Sequence, residues 1–121
     1  MTLTPSQRPW EPLDVVIAKG AFLSVAYNLR GKIPVGIYMS AAWTAADLTF
    51  QVSSDGETYY NLHTYAGEYS LTTSAGIFLS LSQENFAGTN FIKVRSGTGA
   101  VPVNQAAARA LVLMCAFPDP A

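Results

Sequence analysis

Apolar and polar side chains alternate at residues 48–53, and this pattern constrains the fold more than any other part of the sequence. Leu48, Phe50 and Val52 are apolar, whereas the residues between them are polar. A period of two places the three apolar side chains on one face of a β-strand. The dipeptide Asp55-Gly56 then favours a tight turn, because glycine takes a positive φ without steric cost. The stretch therefore predicts a β-hairpin that buries Leu48, Phe50 and Val52.

Short strand-like segments recur along the rest of the chain, separated by Gly, Ser, Asn and Asp residues. Besides the hairpin, they lie at residues 14–18, 21–27, 35–39, 67–72, 77–81, 90–95 and 109–117. Eight to nine short strands with such turns predict an all-β fold, either an antiparallel β-sandwich or a barrel. In the segment 90–95, alternation places Ile92 and Val94 on one face, opposite Lys93 and Arg95.

The last segment, residues 109–117, is apolar on both faces. A strand of this kind lies centrally in a sheet with both faces covered, or lies against another chain. Residues 104–114 also contain good helix formers, so a helix is the competing prediction. We favour a strand, because an antiparallel return from residues 90–95 through a glycine turn is the simpler topology.

The N-terminal residues 1–13 differ in composition from the rest of the chain, because they include Pro5, Pro9 and Pro12. Proline fixes φ and removes a backbone donor, which excludes a helix or an inner strand. We therefore predict an extended arm at residues 1–13 and a β-sandwich domain at residues 14–121. Trp10 and Leu13 would anchor the arm, either on its own domain or on a neighbouring subunit.

Charged residues make up only 12% of the 121 residues, against about 25% in an ordinary soluble domain. The formal net charge of −1 predicts no attraction to nucleic acid. The sequence shows no signal peptide and no apolar run of the roughly 20 residues that a membrane helix needs. The low charge favours extensive contacts with other proteins. A neutral surface rich in Ser and Thr is the alternative.

Residues that could carry chemistry are few. His63 is the only histidine and Cys115 the only cysteine, so neither a zinc site nor an intrachain disulfide is expected. Asp55 and Glu57 could offer oxygens to calcium, but a β-turn uses Asp-Gly for backbone reasons alone. Cys115 lies in an apolar run and is predicted to be a buried small hydrophobe. We expect no catalytic residue, no metal site and no cofactor.

Aromatic and basic residues are the better candidates for a binding surface, because tyrosine and tryptophan are enriched at protein interfaces. The candidate interface residues are Trp10, Leu13, Trp43, Tyr59, Tyr65, Tyr69, Lys93 and Arg95. Exposed tryptophan and tyrosine rings also stack on sugars, which leaves a carbohydrate-binding module as an alternative. A small hydrolase is a further alternative, and it would need His63 as its base.

Five motifs give the chain a resemblance to small virion proteins of tailed bacteriophages. They lie at residues 42–56, 60–62, 67–69, 91–98 and 103–109, and the likeness extends over residues 14–117. The resemblance implies an antiparallel β-sandwich of jelly-roll-like form and no enzyme activity. It implies no cofactor and no particular functional residue.

The same resemblance implies a structural role in the virion, assembled in the host cytoplasm. The leading expectation is a capsid decoration or cement protein, a homotrimer that contacts the major capsid protein. A neck, collar or tail component is the alternative. Neither nucleic acid nor membrane is expected as a partner.

Overall fold

The computed structural model describes residues 10–117, and their regular structure is almost entirely β-strand. The strands are β1 (Trp10–Ile17), β2 (Tyr27–Asn28), β3 (Ile33–Tyr38), β4 (Leu48–Ser53), β5 (Tyr60–Asn61), β6 (His63–Thr64), β7 (Gly67–Glu68), β8 (Phe78–Ser80), β9 (Phe91–Ser96) and β10 (Arg109–Ala116). A 3-10 helix spans Gln83–Phe86. No α-helix occurs within residues 10–117. The all-β prediction is confirmed.

Eight of these strands form two antiparallel sheets. Sheet A has the order β1-β10-β3-β8, and sheet B has the order β2-β9-β4-β5. β6 and β7 form a separate short hairpin. The two four-stranded sheets pack their apolar faces together, which is the arrangement of a β-sandwich.

The hydrophobic core lies between sheets A and B. Its fully buried aliphatic and aromatic side chains include Val15, Ile17, Leu29, Ile37, Leu48, Phe50, Phe86, Ile92, Val94, Leu111 and Leu113. Leu48 and Phe50 are buried as the alternation predicts, and Val52 packs against the core from a partly buried position. In β9, Ile92 and Val94 face inward, as predicted.

β10 is a strand and not a helix. It pairs with β1 over eight residues, from Trp10 opposite Ala116 to Ile17 opposite Arg109, and with β3 on its other side. Pairing along both edges satisfies its backbone groups, and this outweighs the helix propensity of its Ala, Leu and Met residues. β10 is therefore a central strand of sheet A.

Two predicted strands are shorter than expected. Of residues 21–27, only Tyr27 belongs to a strand, β2 (Tyr27–Asn28). The Ser24 N–H donates to the carbonyl of Val94 at 2.9 Å, and its hydroxyl accepts the Val94 N–H at 2.9 Å. The segment keeps a single isolated antiparallel bridge, between Leu23 and Arg95, and the next acceptor for β9 is a side chain instead of the backbone. Of residues 67–72, only Gly67–Glu68 forms a strand.

The residues predicted as the end of the arm are part of the sandwich. Trp10 to Leu13 form the first half of β1 and pair with Leu113 to Ala116. Pro12 is accommodated because β1 is an edge strand. The Val16 N–H donates to the Tyr27 hydroxyl at 3.0 Å, which removes one free backbone donor from that edge. Residues 1–9 of the predicted arm lie outside the described residues.

The predicted hairpin is present as β4 and β5, but its connection spans residues 54–59 and is not a two-residue turn. One carboxylate oxygen of Asp55 accepts hydrogen bonds from the N–H groups of Glu57 and Thr58, at 2.9 and 3.0 Å, and from the Ser53 hydroxyl at 2.9 Å. Gly56 takes a φ of 80° in the same loop. Asp55 therefore organises the turn through backbone groups.

These hydrogen bonds predict how stability depends on pH. The N–H groups of Thr58 and Glu57 and the Ser53 hydroxyl hold the pKa of Asp55 below its ordinary value of 3.8. Because the pKa of Asp55 is lower in the folded state, its charged carboxylate stabilises the fold above pH 3.8. This stabilisation is lost as the pH falls through the folded pKa. Asp55→Ala should lower the thermal unfolding midpoint at neutral pH, and this deficit should shrink at about pH 2.5.

Asp55→Asn is the matched control, because the amide oxygen still accepts the two N–H groups but carries no charge. We expect the unfolding midpoint of Asp55→Asn at neutral pH to stay close to that of the wild type. The pH dependence that Asp55 contributes should be lost. Thermal unfolding followed by circular dichroism measures both. An Asp55→Ala deficit that does not change with pH would contradict the assignment.

Candidate functional site

The outer face of sheet A is mostly apolar, and its largest side chains are about half exposed within residues 10–117. Directly paired residues share a face of a sheet, so the register identifies its members. They are Trp10, Pro12, Asp14 and Val16 of β1, Ala110, Val112, Met114 and Ala116 of β10, Gly36 and Tyr38 of β3, and Phe78 and Ser80 of β8. Asp14 is the one charged residue among them. This set of residues is called the apolar face below.

The aromatic residues of the apolar face are half exposed. The exposed fractions are 54% for Trp10, 51% for Tyr38 and 48% for Phe78. Buried aromatic side chains remove about 150–250 Å² each from water, so these three leave roughly 300 Å² of aromatic surface exposed. An antiparallel sheet with one buried face ordinarily has polar residues on the other. An apolar surface of this size is comparable to the largest patch on a typical monomer, and such patches are often functional.

A groove runs across the apolar face. Its volume is 320 Å³, and its lining residues are Trp10, Val35, Tyr38, Phe78 and Met114. The rings of Tyr38 and Phe78 lie 4.5 Å apart between centroids and form its raised wall. Phe78 lies directly over Gly36, where any Cβ would overlap its ring. A β-bulge in β3 leaves Val35 without a partner on β10 and turns it toward the groove.

The outer face of sheet B is polar and is closed by its own chain. Arg95 of β9 is buried there, and its guanidinium donates to Thr49 and Asn61, at 2.9 Å each. It also pairs with the Glu68 carboxylate at 2.6 Å. Glu68 belongs to the β6-β7 hairpin and accepts a further hydrogen bond from the Gly99 N–H. Arg95 and the side chains around it therefore find partners within the chain, unlike the side chains of the apolar face.

The predicted interface residues do not form one surface. Trp10 lies on the apolar face, and Leu13 is on the same strand but is half-buried on the core side. Trp43 is buried in the core, where its indole N–H donates to the Ala46 carbonyl at 3.2 Å. Tyr69 packs against both Phe50 and Phe86 at the edge of the core.

The remaining candidates lie on the sheet B side of the molecule. Lys93 places its ammonium 4.2 Å from the centre of the Tyr59 ring, a cation–π contact within the chain. Arg95 is only 3% exposed and is held by Glu68, so the surface role suggested for it is corrected to a structural one. Trp43 is corrected in the same way, because its ring is part of the core. Tyr65 is fully exposed at the tip of the β6-β7 hairpin.

Trp10 is the one residue of the apolar face that was predicted as an interface residue. Tyr38, Phe78 and Met114, which line the groove with it, were not predicted. The signal that could have identified Met114 is the apolar character of both faces of residues 109–117. Tyr38 and Phe78 carried no such signal, because single exposed aromatic residues are common in any sequence.

The described residues offer little that could carry out chemistry. Within residues 10–117, no group of three or more His, Cys, Asp and Glu side chains lies close enough to hold a metal ion. His63 is exposed on β6. Cys115 is buried in the core, and this burial raises its pKa to about 11, which keeps the thiol neutral and unreactive.

No helix in the described part of the chain has the length and apolar character needed to cross a bilayer. Comparison with known proteins found no family model and no curated protein that matches the chain. Among the described residues, the apolar face is the surface best suited to bind a partner.

Proposed function

We propose that the chain is a non-enzymatic structural subunit of a bacteriophage virion, most specifically a capsid decoration or cement protein. The observation that carries the proposal is the apolar face, which exposes Trp10, Tyr38 and Phe78 and includes one charge, Asp14. Interface cores are depleted in charge and enriched in aromatic residues and Met. The composition of the face is that of an interface core, which supports permanent assembly with another protein.

The energetics of the apolar face favour a subunit that works in an array. Covering roughly 300 Å² of aromatic surface at about 25 cal/mol per Å² contributes about 7–8 kcal/mol. The loss of translational and rotational freedom costs about 4–15 kcal/mol, which is comparable to this gain. One such contact gives modest affinity by itself. Many copies bound side by side on a shell gain avidity from the repetition, which suits a cement protein.

The strand order supports the jelly-roll part of the proposal. Consecutive strands β1 to β4 alternate between sheets A and B, and the first strand pairs with the last. A jelly-roll wound from eight strands in two four-stranded sheets has this arrangement. Because the same fold supports unrelated functions, it adds to the proposal without deciding it.

The partners in this proposal are copies of the same chain and other virion proteins such as the major capsid protein. The localisation is the virion, after assembly in the host cytoplasm. A neck, collar or tail component is the alternative position. Copy number separates the two, because a cement protein covers the shell in hundreds of copies and a closed ring contains about a dozen.

Sugar binding has less support, since Trp43, its best stacking candidate, is buried.

The proposal predicts that particles lacking this chain assemble but lose resistance to heat and osmotic shock. Adding back the purified protein should restore that resistance. Tyr38→Arg should abolish both binding to particles and rescue, because it places a guanidinium in the centre of the apolar face. Tyr65→Arg makes the same substitution outside the face and should bind and rescue like the wild type. Quantitative analysis of purified virions and infectivity after heating measure these outcomes.

Two results would contradict the proposal. One is the absence of the protein from purified virions together with unchanged particle stability. The other is rescue by Tyr38→Arg as complete as that by Tyr65→Arg, which would show that the apolar face is not the assembly surface.

A further inference from the structure

We propose that Asp55-Gly56 is a latent isoaspartate site, which the folded loop between β4 and β5 keeps unreactive through the Ser53 hydroxyl and the Phe91 ring. The loop is the connection at residues 54–59. The modification is spontaneous and needs only water as a co-reactant. It goes beyond the proposed function, because it concerns the chemical lifetime of the chain and not its partner.

The chemistry of the site follows from the dipeptide. The backbone nitrogen of Gly56 can attack Cγ of the Asp55 carboxyl group, because glycine has no Cβ to obstruct the approach. A C–N bond forms, the nitrogen loses its proton, and a carboxyl oxygen leaves as water, which gives a cyclic imide. Water then adds to either carbonyl of the ring and breaks its bond to the nitrogen. Opening at the main-chain carbonyl of Asp55 gives isoaspartate, and opening at Cγ restores aspartate.

The Ser53 hydroxyl holds the attacking nitrogen in place. The Gly56 N–H donates to Ser53 Oγ at 2.9 Å, and the Asp55 N–H donates to the same atom at 3.2 Å. Ser53 is only 4% exposed, so these hydrogen bonds are protected from water. The Gly56 nitrogen must lose its proton before it can attack, and the bond to Ser53 retains that proton and fixes the orientation of the peptide plane.

The Asp55 carboxylate is held as well. One of its oxygens accepts hydrogen bonds from the Ser53 hydroxyl and from the N–H groups of Glu57 and Thr58. These bonds direct the carboxylate toward the residues that follow it and restrict its rotation. They also stabilise its charged form, as the lowered pKa of Asp55 shows. The charged form is the less reactive one, because the neutral acid releases water more readily.

The Phe91 ring and Asn90 hold the loop against β9. A Cβ at Gly56 would lie 3.1 Å from the nearest atom of the Phe91 ring, so the ring already packs against the glycine. The Asn90 N–H donates to the Ser53 carbonyl, and its side-chain amide donates to the Ser54 carbonyl, both at 3.0 Å. The backbone around the reactive pair is therefore fixed, and closure of the imide ring requires the loop to open locally.

Isoaspartate would change this loop lastingly. The main chain would run through Cβ and Cγ of Asp55, which adds a methylene group to the connection between β4 and β5. The former side-chain carbonyl would become part of the backbone and would no longer cap the N–H groups of Glu57 and Thr58. Asp55 is exposed, so the water that opens the imide has access to it. A chain whose loop opens often therefore accumulates an altered hairpin.

Incubation of the full chain in water labelled with heavy oxygen tests the proposal, because each opening of the imide incorporates a labelled oxygen atom at Asp55. Peptide mass spectrometry locates the label, and chromatography separates isoaspartate from aspartate. The folded wild type should take up label slowly, and the chain unfolded in urea should take it up quickly. Ser53→Ala should raise the rate in the folded chain by about tenfold or more, because it removes three hydrogen bonds of the loop.

Ser24→Ala is the matched control, because Ser24 is equally buried and its hydroxyl also accepts a backbone N–H, that of Val94. It should leave the rate at Asp55 within about twofold of the wild type. Phe91→Leu should raise the rate as Ser53→Ala does, but through a different contact. Asp55→Glu should take up no label in this loop, since its longer side chain would have to close a larger ring. Circular dichroism confirms that each variant is folded during the incubation.

Three results would overturn the proposal. The first is the absence of isoaspartate from the chain unfolded in urea, which would show that the pair is not reactive. The second is equally fast uptake of label in the folded wild type, which would show that the loop gives no protection. The third is a rate in Ser53→Ala equal to that in Ser24→Ala, which would assign the protection to global folding. If Ser53→Ala does not fold, the same comparison between Phe91→Leu and Ser24→Ala decides.

Discussion

Glu68→Ala is expected to lower the free energy of unfolding by about 3–5 kcal/mol, because it leaves a buried guanidinium without its counter-charge. The Glu68 carboxylate lies 2.6 Å from Arg95, whose side chain is 4% exposed. Thr49 and Asn61 still accept hydrogen bonds from Arg95 in the variant, but neither carries a negative charge. Glu68 also accepts the Gly99 N–H, so the loss extends to the turn after β9.

Urea unfolding at neutral pH measures this change, and the other ion pair within residues 10–117 supplies the matched control. Lys32 and Glu11 lie 3.4 Å apart, and the Glu11 side chain is 48% exposed. Glu11→Ala should change the free energy of unfolding by less than about 1 kcal/mol, as exposed pairs do. If Glu68→Ala changes the free energy of unfolding as little as Glu11→Ala does, the Arg95–Glu68 pair does not stabilise the fold.

Phe50→Ala is expected to lower the free energy of unfolding by about 3–5 kcal/mol, since it removes a fully buried aromatic ring from the core. The ring meets Phe86 edge to face, with centroids 5.2 Å apart, and stacks beside Tyr69 at 6.2 Å. The substitution therefore removes contacts to both neighbours and leaves a cavity between the two sheets.

Thermal or urea unfolding measures the effect, with Tyr65→Ala as the control for truncating an aromatic residue. Tyr65 is fully exposed, so its removal should change the free energy by no more than about 0.5 kcal/mol. A small effect of Phe50→Ala would mean that the inward and outward faces of β4 are reversed.

Much of the strand content was predictable from local sequence. Alternation at residues 48–53 identified β4 and its buried face, and the same rule placed Ile92 and Val94 of β9 in the core. The two-sided apolar segment at residues 109–117 was identified as a strand, and it is the central strand β10. These predictions succeeded because a period of two is a local property of the backbone, which needs no knowledge of the partner strand.

The boundaries that failed depended on distant partners. Trp10 to Leu13 looked like an arm because of their prolines, but they pair with residues about a hundred positions later in the chain. Residues 21–27 looked like a strand, but the Val94 N–H donates to the Ser24 hydroxyl instead of a backbone carbonyl, which interrupts the ladder after the Leu23–Arg95 bridge. Neither contact can be predicted from the local alternation of apolar and polar residues.

The candidate site shows the same division. The strands, the deficit of charge and the two-sided apolar character of β10 follow from the amino-acid sequence. Tertiary packing leaves the outer face of sheet A apolar and open, whereas the β6-β7 hairpin and the Arg95–Glu68 pair close the outer face of sheet B. Alternation specifies two faces for each strand, but only long-range pairing and packing determine which of them is left uncovered.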